Sequence, residues 1–341
     1  MKVRTTQIVD FWVGVPICAL LSLWHWCVSL VLSARKEGEP RKILFLELSE
    51  MGSAIIAHSA LKQAATRFPA SELFFMVFTK NRESVSLLNI IPERNLVLID
   101  ESTFGRFLWS TAAALWRVRA LGIDTVIDLE LFSRFTSIIS YLSGAQHRVG
   151  FHNYTAEGLF RGKFLTHRVF YNPHQHMQLN FLALVLALGS DSADFPQLKM
   201  DVRPFRVPLP RHDPSPAEVD SIWRLLREVN PRVPRGAQLL VVNPDPGDAL
   251  PIRGWPLERF VASVGQLLAF NPALFCVVIG LKRSGPYAQA ILNAVPRERC
   301  VDLTGKTKTL RDVVTLFSES ALLITNDSGP AHFAALTSIH S

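Results

Sequence analysis

The stretch "ALLITNDSGPAHFAAL" (residues 321–336) fixes the reading of the whole chain. Four apolar residues of strand length run into Thr-Asn-Asp, and Ser-Gly-Pro then opens a helical pattern with His332 one turn in. Pro330 suits the first turn of a helix, where no N–H is needed. Strand, tight polar turn and helix start in that order are the carboxyl end of a strand in a parallel α/β sheet, where such folds bind their ligands. The peptide N–H groups of Ser328, Gly329 and Ala331 would lie at a positive helix end suited to phosphate. Asp327 or Ser328 could equally cap that helix. A cap alone requires neither Gly329, which permits close backbone approach, nor His332, which could donate to a phosphate oxygen.

Working back from this turn, strand-length apolar runs alternate with helical stretches. "QLLVVNPDPG" (238–247), "LFCVVIG" (274–280) and "CVDLTG" (300–305) form one set with "ALLITND". "ILFLEL" (43–48), "LFFMVF" (73–78), "NLVLID" (95–100), "TVIDL" (125–129) and "HRVGF" (147–151) form another, with helices expected at 54–67 and 105–121. Continuous apolar strands belong to parallel sheets covered on both faces. The long apolar "HMQLNFLALVLALG" (176–189) closes the first set, and a Pro-rich, charged stretch (191–216) follows. The expectation is an N-terminal segment (1–40) and two doubly wound α/β domains (41–205 and 206–341), facing each other across a shared cleft. At 341 residues the chain is long enough for two such cores.

With 48% hydrophobic and 19% charged residues the protein is folded and oilier than most soluble enzymes. Much of the excess sits in "FWVGVPICALLSLWHWCVSLVLS" (11–33), which has no Asp, Glu, Lys or Arg. Its 23 residues could cross roughly 30 Å of hydrocarbon as a helix. It is too long for a signal-peptide core and lacks a good small-residue cleavage site, so it reads as uncleaved. Lys2 and Arg4 precede it, and Arg35, Lys36, Arg41 and Lys42 follow, a bias that puts the domains in the cytoplasm. Pro16, His25 and the tryptophans 12, 24 and 26 suit a helix lying in the interface as well as one that spans, and a helix docked on the protein itself is the third reading.

A net charge of +7 and a pI near 9.4 suggest an anionic partner. The basic residues are scattered and no aromatic-rich nucleic-acid module is present, so a membrane surface or phosphorylated ligand is expected and nucleic acid is not. Cys18, Cys27, Cys276 and Cys300 have no metal-ligand spacing and read as reduced thiols. His174 and His176 have no Cys, Asp or Glu partners at metal spacing and read as a helix-entry loop. Lys282 and Arg283, after the strand ending at Gly280, are weak candidates for ligand contact.

"TNDSGPAHFAA" resembles the donor-binding signature of glycosyltransferase family nine, the bacterial heptosyltransferases of lipopolysaccharide core synthesis, of the form T-N-D-[ST]-G-x-x-H-x-A-A. The resemblance extends from about Arg41 through "KILFLELSEMGS" (42–53), "HRVGF", "VVNPDPG" and "RGWPLERF" (253–260). It implies a GT-B fold, two Rossmann-like domains of which the first takes the acceptor and the second the donor. It also implies an inverting enzyme that moves a sugar, typically heptose from an ADP-sugar, to a lipid-linked saccharide at the cytoplasmic face of the inner membrane, anchored by residues 11–33. On this basis Asn326, Asp327, Ser328, Gly329, His332 and Gly52 are donor-binding positions. Arg253 joins them at a place where the family carries Lys; a guanidinium keeps the charge and changes the geometry. Basic groups and helix ends would hold the diphosphate, so neither cofactor nor metal is expected.

The sequence departs from the family in the loop after the first strand. Relatives carry Gly-Asp there, with the Asp proposed as general base, whereas this chain has Gly52-Ser53. A Ser hydroxyl cannot accept a proton at neutral pH without a neighbouring base. Glu50 in the same loop and Glu130 after the fourth strand are substitute candidates, and Ser53 could contact ligand or cap a helix starting near Ala54. Family members continue beyond the signature helix with another strand and closing helices, so an incomplete second domain is expected here. An impaired nucleotide-sugar-binding protein of the same fold is therefore the alternative function, and an epimerase of the same two-domain plan a more distant one.

Overall fold

The computed structural model describes residues 3–31, 38–152, 160–190, 198, 200–247 and 254–341, with no side chain described before residue 8. It divides into two compact units, Met1–Pro208 and Leu209–Ser341.

The first unit opens with α1 (Val3–Trp12) and α2 (Gly14–Val31), followed by β1 (Lys42–Leu46), α3 (Met51–Ile56), α4 (His58–Arg67), β2 (Glu72–Phe78) and α5 (Arg82–Ser86). Then come β3 (Leu96–Ile99), α6 (Phe104–Leu121), β4 (Thr125–Asp128), α7 (Arg134–Leu142), β5 (His147–Phe151), β6 (His167–Val169) and α8 (Met177–Ala187). The six strands are all parallel, in the order β3-β2-β1-β4-β5-β6. The order reverses between β1 and β4, which makes their carboxyl ends the switch point where a crevice forms. Leu44, Leu46, Phe74, Met76, Val97 and Val126 are buried with Ala114 and Val118 of α6 and Ile139 of α7. α4 and α8 pack against each other, joined by the Gln178–Ser59 hydrogen bond of 2.8 Å. Right-handed crossovers put these two helices on the opposite face of the sheet from α6 and α7.

Local signals explain several boundaries. Thr103 caps α6 by accepting from the Arg106 N–H, and Gly122 ends it in the left-handed conformation with φ 67°. His176 caps α8, its ring nitrogen accepting from the Gln178 N–H at 3.2 Å, which places this histidine in a helix-entry role. The stretch expected as one helix over 54–67 is two, α3 and α4, meeting at Ala57. α3 starts at Met51, so Ser53 lies inside its first turn and does not cap it. The three-residue β6 adds a strand the pattern did not reveal.

The second unit contains α9 (Pro216–Val229), β7 (Gln238–Asn243), α10 (Leu257–Phe270), β8 (Leu274–Val278), α11 (Gly285–Ala294), β9 (Cys300–Asp302), α12 (Leu310–Ser318), β10 (Leu322–Thr325) and α13 (Gly329–Ala334). Its strands are parallel in the order β10-β7-β8-β9. Leu240, Val242, Phe260, Val264, Val278 and Ile291 center its core. Capping boxes open α9, from Ser215 and Glu218, and α12, from Thr309 and Asp312. Arg311 and Glu218 pair across these two helices. Past α13 the chain returns to the sheet, the Leu323 N–H donating to His340 O at 2.8 Å on the outer edge of β10.

Candidate functional site

In the second unit the loops leaving the four strands gather at the carboxyl edge of the sheet. β10 and β7 are neighbours, in register from Leu322–Leu240 to Thr325–Asn243. Their last residues are cross-linked: Asn243 Nδ2 donates to Thr325 Oγ1 at 3.4 Å and to Ser328 Oγ at 3.3 Å. Asn326 is buried; its amide donates to Pro244 O at 2.8 Å, and its side-chain oxygen accepts from the Trp255 N–H at 2.8 Å. The Asn326 side chain thus ties the turn after β10 to both ends of the connection between β7 and α10, and is occupied in doing so.

The Ser328 hydroxyl turns back to Asn326 O at 3.2 Å and makes no cap bond to α13. Of the three N–H groups expected to point toward phosphate, that of Ala331 donates to Ser328 O at 3.1 Å and is satisfied internally. Asp327 is exposed at the tip of the turn and His332 is half-buried on α13. A Cβ on Gly329 would lie 3.2 Å from the Phe333 ring, which would have to shift by a few tenths of an ångström to admit it. Arg253 lies outside the described residues.

Beside this turn, after β7 and β8, sits a group of which the sequence reading named Arg283 but passed over Asp245 and Ser284. Ser284 Oγ donates to Asp245 Oδ2 at 2.6 Å, and the Arg283 guanidinium approaches the same carboxylate at 3.6 Å. Gly280 has φ 151°, and a Cβ on it would meet the Ser284 side chain at 2.8 Å. Only a glycine lets the loop fold this tightly. Lys282, Lys306 and Lys308 are exposed on the same edge. A row of cations and turn N–H groups at a parallel sheet's carboxyl edge can take a nucleoside diphosphate. "NPDPG" and "KRSG" directly after strands were the available signal for Asp245 and Ser284.

In the first unit, three carboxylates meet at the switch point between β1 and β4. Glu130 accepts from Leu48 N–H at 3.0 Å, Ser49 N–H at 2.8 Å and Ser49 Oγ at 2.5 Å, all on one oxygen. Asp128 is fully buried and pairs with Arg161, which also donates to Thr136 Oγ1 at 3.1 Å and Ser133 O at 2.8 Å. Burial pushes the Asp128 carboxyl up to about 6 although Arg161 pulls it down. Glu47 is buried with its oxygen facing the Glu50 N–H at 3.3 Å; burial first, and then Glu130, push its carboxyl well above the usual range.

The sequence candidates here separate by exposure. Glu50 is exposed at the head of α3, Gly52 is buried and Ser53 half-buried in the first turn. Glu130 is almost wholly buried, its loop-facing oxygen filled by three donors, so it organizes the β1 loop that carries Glu50.

A sequence model of glycosyltransferase family 9 (heptosyltransferase) matches residues 115–337. Over 88 residues the chain is 33% identical to lipooligosaccharide heptosyltransferase 2 of Haemophilus influenzae, a match spanning a quarter of each protein's length. Among solved structures, Escherichia coli ADP-heptose lps heptosyltransferase II superposes with a TM-score of 0.67 at 20% identity, over 86% of this chain and 82% of that one. The family 9 glycosyl transferase of Veillonella parvula gives 0.66 at 20% identity, over 86% and 77%. Escherichia coli heptosyltransferase WaaC with ADP-2-deoxy-2-fluoro heptose gives 0.60 at 15%, over 86% and 85%. These likenesses show the fold, the parallel α/β class expected from the sequence.

Proposed function

From the premise that the chain belongs to glycosyltransferase family 9, we propose that it is an inverting glycosyltransferase, moving heptose from ADP-heptose to a lipid-linked saccharide of the lipopolysaccharide core type. The observation carrying the reading is the gathering of Asp327–Gly329, His332, Lys282 and Arg283 at one sheet edge. Diphosphate would lie against the cations and the start of α13, with Asp327 accepting from donor hydroxyls. Arg253 completes the proposed donor set, whereas Gly52, the other donor position implied by the resemblance, is buried in the first unit. No metal takes part in this scheme, because the cations neutralize the leaving diphosphate. The structure of Escherichia coli heptosyltransferase WaaC with ADP-2-deoxy-2-fluoro heptose supports an ADP-sugar as the donor class.

For the base, exposure favors Glu50 over the donor-saturated Glu130 and over Ser53, which has no proton-accepting strength of its own. Glu130 then acts as a positioning residue for the Glu50 loop. The protein works at the cytoplasmic face of the inner membrane, held there by the segment 11–33, where an amphiphilic acceptor would present its sugar. Among the described residues one stretch, Ile8–Val31, running from α1 through α2, is long and apolar enough to cross a membrane.

The test pairs calorimetric titration of ADP with a transfer assay on the full chain. Asp327→Ala should weaken donor binding by about 10- to 100-fold, the worth of a hydrogen bond to a charged group. Glu50→Gln should leave that affinity alone and slow transfer by roughly 10²- to 10⁴-fold. Unchanged transfer in both variants would sink the reading. Ser53 at the family's Asp position favors one second reading, a nucleotide-sugar-binding protein without turnover, which predicts ADP binding and no transfer in the unsubstituted chain.

A further inference from the structure

α2 is docked on its own domain with its polarity inverted. Gly14, Cys18, Ser22 and His25 recur at helical spacing and face the domain. A Cβ on Gly14 would lie 2.8 Å from the Arg134 side chain of α7, Cys18 is fully buried, Ser22 Oγ accepts from the Lys163 N–H at 2.8 Å, and His25 meets the Tyr141 ring edge-on at 5.6 Å. The opposite stripe carries the large apolar residues, with Leu20 66%, Trp24 63% and Leu30 67% exposed. A helix of a water-soluble surface has the reverse arrangement.

The docking is anchored by charge. Asp10, at the end of α1, accepts from the Arg134 and Phe135 N–H groups at 2.9 and 3.0 Å and pairs with the Arg134 guanidinium at 3.1 Å. The two side chains are 15% and 5% exposed.

A second unpartnered stripe lies on the same side of the sheet. α6 flanks α7 through the Phe107–Phe135 ring contact at 5.1 Å. Its outward face shows Trp109 and Trp116, 79% and 74% exposed, one above the other at a spacing of two turns. α6 contains three arginines and no acidic residue, and α2 contains no charged residue. Of the seven tryptophans in the chain, five are exposed on α1, α2 and α6.

We propose that α1, α2 and α6 form one membrane-docking face for an anionic lipid surface, with α2 lying in the interface parallel to the bilayer rather than crossing it. Tryptophan is the residue of that interface, and α6, with Arg106 paired to Asp100 at 3.3 Å and Arg117 and Arg119 beside it, keeps a net positive charge that suits anionic headgroups. Crossing would require α2 to leave α7, unpairing Asp10 and Arg134, or else to carry that pair and Lys163 into hydrocarbon. A second copy of the chain has less support, because α6 carries three arginines and no acidic residue of its own, α2 carries no charge, and Asp10 of α1 is already paired with Arg134.

The inference deepens the membrane association proposed above and rests on it. The first measurement is flotation of the full chain with phosphatidylethanolamine–phosphatidylglycerol vesicles. Trp109→Gln with Trp116→Gln should lower the bound-to-free ratio about tenfold while circular dichroism and melting stay unchanged; an equal ratio overturns the part given to α6. The second compares nitroxide depths at Leu20→Cys and Leu30→Cys, each in a Cys27→Ser background. Equal shallow depths are expected, whereas a depth difference of about 15 Å, ten residues of helix rise, overturns the flat orientation. No flotation of the unsubstituted chain would sink the membrane reading itself. Binding by all variants alike, with a lipid-free dimer lost in the tryptophan variant, would assign the face to a second copy.

Discussion

At the scale of single residues, the first unit's carboxylates show how little a residue type says about its task. Glu50, Glu130 and Ser53 were all read from the sequence as candidates for chemistry, since the loops at the carboxyl ends of a doubly wound sheet's strands are where ligands bind. What was not legible was that Glu130 is engaged by the Leu48 and Ser49 N–H groups, because that bond joins residues about eighty positions apart. Glu47 was read only as part of a strand, yet it is buried beside Glu130 and Asp128 with its carboxyl held well above the usual range. A carboxyl raised on folding contributes its stability below the unfolded value and loses it as pH rises through the folded one. Glu47→Gln removes that titration and keeps the shape. Its unfolding midpoint in urea should match the wild type at and below about pH 4, near the unfolded glutamate value, and rise above it toward pH 8. A difference that shrinks with pH would show that Glu47 is ionized and stabilizing in the folded protein.

At the scale of elements, the sequence revealed those whose signals are local. Parallel strands buried on both faces are unbroken apolar runs, and nine of the ten were expected within a few residues of where they lie. β6 escaped because His-Arg-Val has no apolar run, and its place comes from pairing with β5. The break at Ala57 escaped because neither Pro nor Gly marks it. Docking of α2 on the protein was one of three readings, but its face and partner were not legible for a different reason: composition announces an apolar helix, whereas its partner α7 is more than a hundred residues away. Where caps are local their worth is testable. Ser215 opens α9 with a capping box, bonding the Glu218 N–H while Glu218 accepts from the Ser215 N–H at 2.8 Å. Ser215→Ala should cost about 1 kcal/mol in chemical denaturation, since the Glu218 side chain also loses its hydroxyl donor. A loss under a few tenths would mean that the Arg311–Glu218 pair alone fixes this end of α9.

At the scale of the whole molecule, two units with separate sheets and separate cores make one prediction that the isolated elements do not. The proposed donor site belongs to the second unit: its turns leave β7, β8 and β10, Asn243 and Asn326 bind the β7 and β10 turns to one another, and Ser284 binds the β8 turn to Asp245. A ligand stabilizes only the openings that destroy its site. At a hundred times its dissociation constant, ADP would add about 2.7 kcal/mol to each such opening, slowing amide exchange there by about a hundredfold. Hydrogen exchange followed by mass spectrometry should therefore slow over 238–247, 280–286 and 322–336 and stay unchanged over β1, β2 and β3. Those strands are held by the first unit's own core of Leu44, Phe74, Met76 and Val97. Protection centered on 42–53 instead would move the nucleotide to the β1 loop and make Asp327 and His332 structural residues of α13. Protection of the second unit in the unsubstituted chain, lost in Asp327→Ala, would tie the binding to the turn from which the fold was first read.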